Sequence, residues 1–156
     1  MKTNLALAIL ALGGMLATCK GVPEALATPS IDQREQVWQE QNITAYRIEV
    51  LIVRSVWHAQ SHRITVRNGQ VESATATCVP APTEAGKCKV EDFNAADYTV
   101  AGLFREAHAQ TQSEFAAWVT ITYDPIYGFP QQISYNHPEM IDEDWSWRVT
   151  AFEVLK

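Results

Sequence analysis

Basic residues are scarce: 12 Lys and Arg stand against 18 Asp and Glu in 156 residues, a formal net charge of −6. They never form a run, which argues against nucleic acid as a partner, because phosphate recognition needs clustered cations. The acidic balance also gives no grip on an anionic membrane. Glycine and proline number 7 each, with no glycine-rich loop to cradle phosphate and no Gly-x-Ser-x-Gly elbow around Ser55, Ser61, Ser73 or Ser113. Cysteine is limited to Cys19, Cys78 and Cys88, too few thiols for a zinc cluster.

The first 27 residues read as an export signal with two endings. Lys2 is followed by the apolar or small-residue run Leu5 to Ala17, shorter than the roughly 20 residues a membrane-spanning helix needs. Leu16-Ala17-Thr18-Cys19 resembles a lipobox, which would lipidate Cys19, and Ala25-Leu26-Ala27 is an ordinary signal peptidase site. The lipid-anchored ending is favoured, since Cys19 directly follows the apolar run, with secreted or periplasmic release as the alternative. A lipid would be the only route to a membrane. Cys78 and Cys88 then remain as an even pair around the turn-rich stretch Val79 to Lys87. A disulfide between them would stabilise by roughly 2–3 kcal/mol. The spacing lacks the Cys-x-x-Cys of redox catalysis.

Residues 28–156 are expected to form a single α+β domain. Ser30 and Gln33 make a capping box for a helix from Ile31 to Gln41, with Ile31, Arg34, Val37 and Trp38 on one face and Trp38 as the anchor. From Thr44 the period becomes two: Tyr46, Ile48, Val50 and Ile52 share one face, Arg47, Glu49 and Leu51 the other. The alternation fails beyond Ile52, at Val53 to Val56, where a bulge or a change of buried face is expected. Strands at His62 to Arg67 and Gln70 to Thr77 flank the hairpin signal Asn68-Gly69, with Ile64, Val66 and Val71 as apolar anchors. The chain regains order near Phe93. Thr99 caps a second helix whose Val100, Leu103, Phe104 and Ala107 form one face, with Gly102 a weak point. Three more strands follow at Phe115 to Tyr123, Gln131 to Tyr135 and Ser146 to Val154. The order helix, three strands, helix, three strands predicts an antiparallel sheet of about six strands with both helices on one face.

Chemistry-bearing groups do not assemble into a motif. His58 and His62 bracket an expected strand connection rather than sharing a helix face, so no metal is expected there. His108 and His137 read as solvated side chains. Glu139, Asp142, Glu143 and Asp144 lack the EF-hand pattern and read as a hydrated connector. No cofactor is expected, and no catalytic residue is assigned. Trp145 and Trp147 stand two apart and must share a face; core is the favoured reading, an aromatic ligand face the other.

The block Tyr123-Asp124-Pro125-Ile126-Tyr127-Gly128-Phe129-Pro130 has a plain physical reading. Asp then Pro suits a type I turn, and Gly128 can take positive φ. A candidate binding loop presenting Tyr127 and Phe129 is the alternative. The same block resembles the signature of a bacterial domain of unknown function, family 6174. Trp38, Ile43 to Arg47, Val66 to Val71, Thr99-Val100 with Leu103-Phe104, and Val149 with Phe152-Glu153 match in order. Many members carry Cys-x-Cys after the first strand, where this chain has Val56-Trp57-His58, so no role of those cysteines carries over. The resemblance implies fold and export, and no mechanism. The expected function is therefore an exported, non-enzymatic binding or structural module of the bacterial cell envelope. It would be a monomer, with an unknown protein, peptide or glycan as ligand. A small extracytoplasmic hydrolase with a site assembled only in three dimensions, or an inhibitor of an extracellular hydrolase, is the alternative.

Overall fold

The computed structural model describes residues 28–55, 58–80, 89–139 and 144–156. The signal segment, with Cys19, and Cys88, Asp142 and Glu143 lie outside them.

Helix α1 (Ile31–Glu40) opens as its sequence dictates. Ser30 Oγ accepts the Gln33 N–H at 3.2 Å and Gln33 Oε1 accepts the Ser30 N–H at 2.8 Å, which satisfies two donors the helix itself cannot. Trp38 is its one buried residue, set edge-on at 5.8 Å to each of Tyr46, Phe129 and Phe152. Val37, expected on the same face, is instead 51% exposed. The narrow contact of a short helix covers one stripe, and Val37 falls at its rim.

Strand β1 (Tyr46–Ser55) follows, then β2 (His58–Arg67) and β3 (Gln70–Cys78). Asn68 and Gly69 both have positive φ, at 50° and 73°, the geometry that matches a two-residue turn to strand twist. The expected bulge is present as a register shift between Val53 and Ser55. Strand β2 begins four residues earlier than its sequence suggests, so His58 and His62 lie on one strand rather than either side of a connection. Val71, expected as an anchor, is 38% exposed, because β3 is a sheet edge and a register shift sits beside it.

A 3₁₀ turn at Ala95–Tyr98 leads into α2 (Val100–Thr111). Thr99 Oγ1 accepts the Gly102 N–H at 3.1 Å, and Tyr46 Oη accepts the Val100 N–H at 3.1 Å. The central strand thus holds the helix start, and burial raises the Tyr46 pKa. Tyr46→Phe should cost about 1 kcal/mol, read as a lowered urea midpoint with unchanged slope, because the Val100 N–H loses its acceptor in a buried setting.

The last three strands are β4 (Val119–Tyr123), β5 (Pro130–Tyr135) and β6 (Trp145–Val154). A strand from Phe115 is not formed: Phe115 precedes a 3₁₀ turn at Ala116–Trp118, and pairing starts only at Val119. All neighbours are antiparallel, in the order β3-β2-β1-β6-β5-β4. Two three-stranded meanders are therefore joined where the first strand meets the last. Ile48, Val50, Ile64, Val100, Leu103 and Phe104 form the centre of a core between this sheet and the two helices. The architecture is α+β, with the helices on one face. No helix among the described residues is long and apolar enough to cross a membrane.

Candidate functional site

Because both helices pack on one face of the sheet, the alternation in each strand leaves the other face to solvent. On β1 this face carries Arg47, Glu49 and Leu51. On β2 it carries Ser61, Arg63 and Thr65, and on the edge strand β3 Ser73, Thr75 and Thr77. Thr120 and Thr122 continue it on β4, with Gln132 on β5 and Arg148 on β6, whereas Ser134, on the same face of β5, is buried. It is a hydroxyl-rich surface crossed by ion pairs: Arg63 Nη2 to Glu49 Oε2 at 2.9 Å and Arg47 Nη1 to Glu153 Oε2 at 2.8 Å. Ser61 Oγ also donates to Glu49 Oε1 at 2.8 Å, and the Arg63 and Ser61 bonds lower the Glu49 pKa. Strand spacing and rise make the face about 24 Å wide and about 30 Å along the long strands.

The Tyr123–Pro130 segment is a buttressed turn. Asp124 Oδ1 accepts the N–H of Ile126 at 2.9 Å and of Tyr127 at 2.7 Å. Its backbone N–H donates to Phe129 O at 2.8 Å, while the Gly128 N–H donates to Asp124 O at 2.9 Å. Gly128 takes φ 77°. Gln41 Nε2 donates to Tyr127 O at 2.9 Å, tying the turn to the end of α1. Phe129 is 1% exposed, Pro130 is buried, and Tyr127 packs against the core. Tyr123 lies under the Arg34 guanidinium, 4.1 Å from ring centre to Cζ. The segment thus has the geometry of the favoured structural turn: Phe129, which the alternative reading would present to a partner, lies in the core, and solvent meets Pro125 and Ile126, the latter 77% exposed.

Residues 30–154 match the model of the family of unknown function DUF6174. The chain belongs to that family. No curated protein and no solved structure matches it. In this DUF6174 member the block is a strand connector in which Asp124 and Gly128 meet the needs of the turn and Phe129 packs into the core.

The other sequence-marked residues of the DUF6174 chain are spread out. Trp145 and Trp147 do share a face, the one the helices cover: Trp147 stacks on Tyr98 at 5.2 Å, and Trp145 on Tyr135 at 6.0 Å. Cys78 ends β3 and has a partner, whereas Cys88 lies outside the described residues. His108, expected as solvated, instead joins the helices, with Nε2 3.3 Å from Glu35 Oε2 and 3.5 Å from Asp32 Oδ1. His137 packs beside Trp118 at 4.9 Å, and its N–H donates to Asp144 Oδ1 at 2.9 Å. Among the described residues no group of three His, Cys, Asp or Glu side chains is placed to hold a metal.

One constellation escaped the sequence reading. His62 and Gln60 point into the core, 2% and 5% exposed, at the end of the sheet nearest Cys78. His62 lies parallel to Tyr98 at 3.9 Å and edge-on to Phe93 at 4.7 Å, so His62, Tyr98 and Trp147 form a stacked column. Desolvation, then the charge of Arg54, push the His62 pKa down to about 4; burial foremost raises that of Tyr98. The surrounding niche, lined also by Ile52, Glu91 and Asp92, has a volume of about 10 Å³. Extending the alternation of Ile64 and Val66 back through polar residues would have placed His62 and Gln60 inside.

Proposed function

We propose that this chain is an exported, non-enzymatic binding module that holds a protein or other ligand on the open face of its sheet. The observation that carries this reading is the six-stranded face opposite the helices, exposed at Arg47, Arg63, Thr75, Thr122 and Arg148. Its area, about 700 Å² from strand spacing and length, approaches the roughly 800 Å² per partner of a standard protein interface. Its hydroxyls and ion-paired arginines offer directional bonds without a hydrophobic patch that would drive aggregation. The niche at His62 is too small to admit a substrate, since small-molecule sites measure about 300–1,000 Å³; open grooves of about 530 and 570 Å³ beside α1 and of about 360 Å³ beside α2 fall within that range.

The test is capture from envelope extract with immobilised protein. A Thr75→Arg/Thr122→Arg variant should lose the captured partner, and an Ile126→Asp variant on the turn should keep it. Retention by the first together with loss by the second would move the site to the turn.

Export with a lipid on Cys19 belongs to the same proposal, supported by Lys2, the apolar run and the cysteine that follows it. Fatty-acid labelling of the native chain, absent in Cys19→Ala, is the expected result. So does the Cys78–Cys88 disulfide, because Cys78 has a partner in the fold and a short turn-rich stretch separates the two. Neither cysteine of the exported protein should alkylate without reductant. Labelling of both would remove the clip from the account.

A further inference from the structure

Among the described residues, Gln60 Nε2 and His62 Nδ1 are buried polar atoms without a hydrogen-bond partner, and both residues line the same cavity. Both residues are more than nine-tenths buried. An unpaired buried polar atom costs on the order of 1–3 kcal/mol, so native proteins satisfy such atoms with protein groups or internal water. The cavity of about 10 Å³ has the room a single water needs, about 10–15 Å³ on this measure. We infer that the niche is a binding site for one internal water molecule, which bridges Gln60 Nε2 to His62 Nδ1 and so fixes the imidazole as its Nε2–H tautomer.

The donor and acceptor inventory sets the direction of each bond. A Gln amide nitrogen can only donate, so it takes a lone pair of the water. The side chains of Ile52 and Phe93 on the niche wall offer no acceptor, and a neutral imidazole carries one lone pair to receive a water proton. His62 Nδ1 is that acceptor. The second water proton faces the mouth, where the carboxylates of Glu91 and Asp92 stand and where Arg54 Nη1 lies 3.2 Å from Glu91 Oε2. A cation fits worse, because Arg54 borders the cavity and the Gln60 amide turns its N–H groups inward. The site thereby couples the tautomer of a core histidine to a polar side chain two residues away on the same face of β2. It also gives protonation a local consequence: an imidazolium donates at Nδ1, so both Gln60 and His62 would donate to the water and its two protons would have to turn elsewhere.

Two measurements on the whole folded domain test this. An atomic-resolution crystal structure should show one oxygen at hydrogen-bonding distance from both Gln60 Nε2 and His62 Nδ1. Long-range proton–nitrogen correlation at neutral pH should show Nδ1 of His62 unprotonated. The oxygen should be absent from Gln60→Leu. A direct Gln60–His62 bond with no density between them would overturn the inference, as would a density peak at metal-ligand distance or a protonated Nδ1 beside the water. The native protein alone decides the matter if the variant does not fold.

Discussion

Gly102→Ala should lower the stability of the domain by about 3 kcal/mol, although alanine favours an isolated helix by about 1 kcal/mol. A Cβ at this position would overlap the backbone carbonyl oxygens of Asp97 and Ala96. Those carbonyls belong to the 3₁₀ turn that leads into α2, and neither can swing away as the end of a side chain could. Ala96 O accepts Thr99 Oγ1 at 2.8 Å, and Arg105 Nη2 donates to Asp97 Oδ1 at 3.0 Å. Relief of the clash must therefore displace the helix start, including the Thr99 cap and the Tyr46 bond to Val100. Overpacking of this kind costs about 1–3 kcal/mol, with backbone contacts at the upper end. For a domain of this size the melting temperature should fall by roughly 10 °C. An unchanged or raised melting temperature would show that the turn and α2 do not approach so closely.

The second large effect is a pH dependence centred on His62. Its folded pKa of about 4 lies below the ordinary 6.5. Between those values the unfolded chain holds the extra proton, so stability rises with pH through the window. The contribution is complete above about pH 6.5 and is lost as pH falls to about 4. The difference sets a ceiling of about 3 kcal/mol, and solvent at the niche mouth brings the expected loss nearer 2 kcal/mol. The ring faces Tyr98 and Phe93, with Arg54, Glu91 and Asp92 around the niche, so no carboxylate within the aromatic column rescues its charge. Urea unfolding of the native chain at pH 7 and pH 4.5 should show a fall that His62→Phe largely removes. An equal fall in both proteins would assign the acid sensitivity to other groups.

Features encoded over a few residues were legible in the chain. Ser30 with Gln33, the alternation from Tyr46 to Ile52, Asn68-Gly69 and Thr99 with its apolar face each specify an element through neighbours on the same turn or strand. The family block was legible for the same reason, since an Asp-Pro turn closed by a positive-φ glycine is a local device. What escaped depends on contacts between distant segments. Phe129 is buried because Trp38, far earlier in sequence, stands edge-on to it. Gly102 reads as a helix weakness until the carbonyl of Asp97 is found against it. His62 reads as the first residue of a strand, beside a connection, until the sheet puts it opposite Val50 and the 3₁₀ turn lays Tyr98 over it. Phe115 looked like the start of a strand through its side chain alone, while the turn to Trp118 depends on how α2 ends.

The central claim is that the open face of the sheet is where the protein meets its partner, and photo-crosslinking in the producing cell tests it most directly. A benzophenone amino acid would replace Thr75 on that face in one protein and Ala109, on the exposed side of α2, in another. The account predicts a discrete adduct from position 75 and none from position 109. Adducts from position 109 alone, or from neither position, would contradict it.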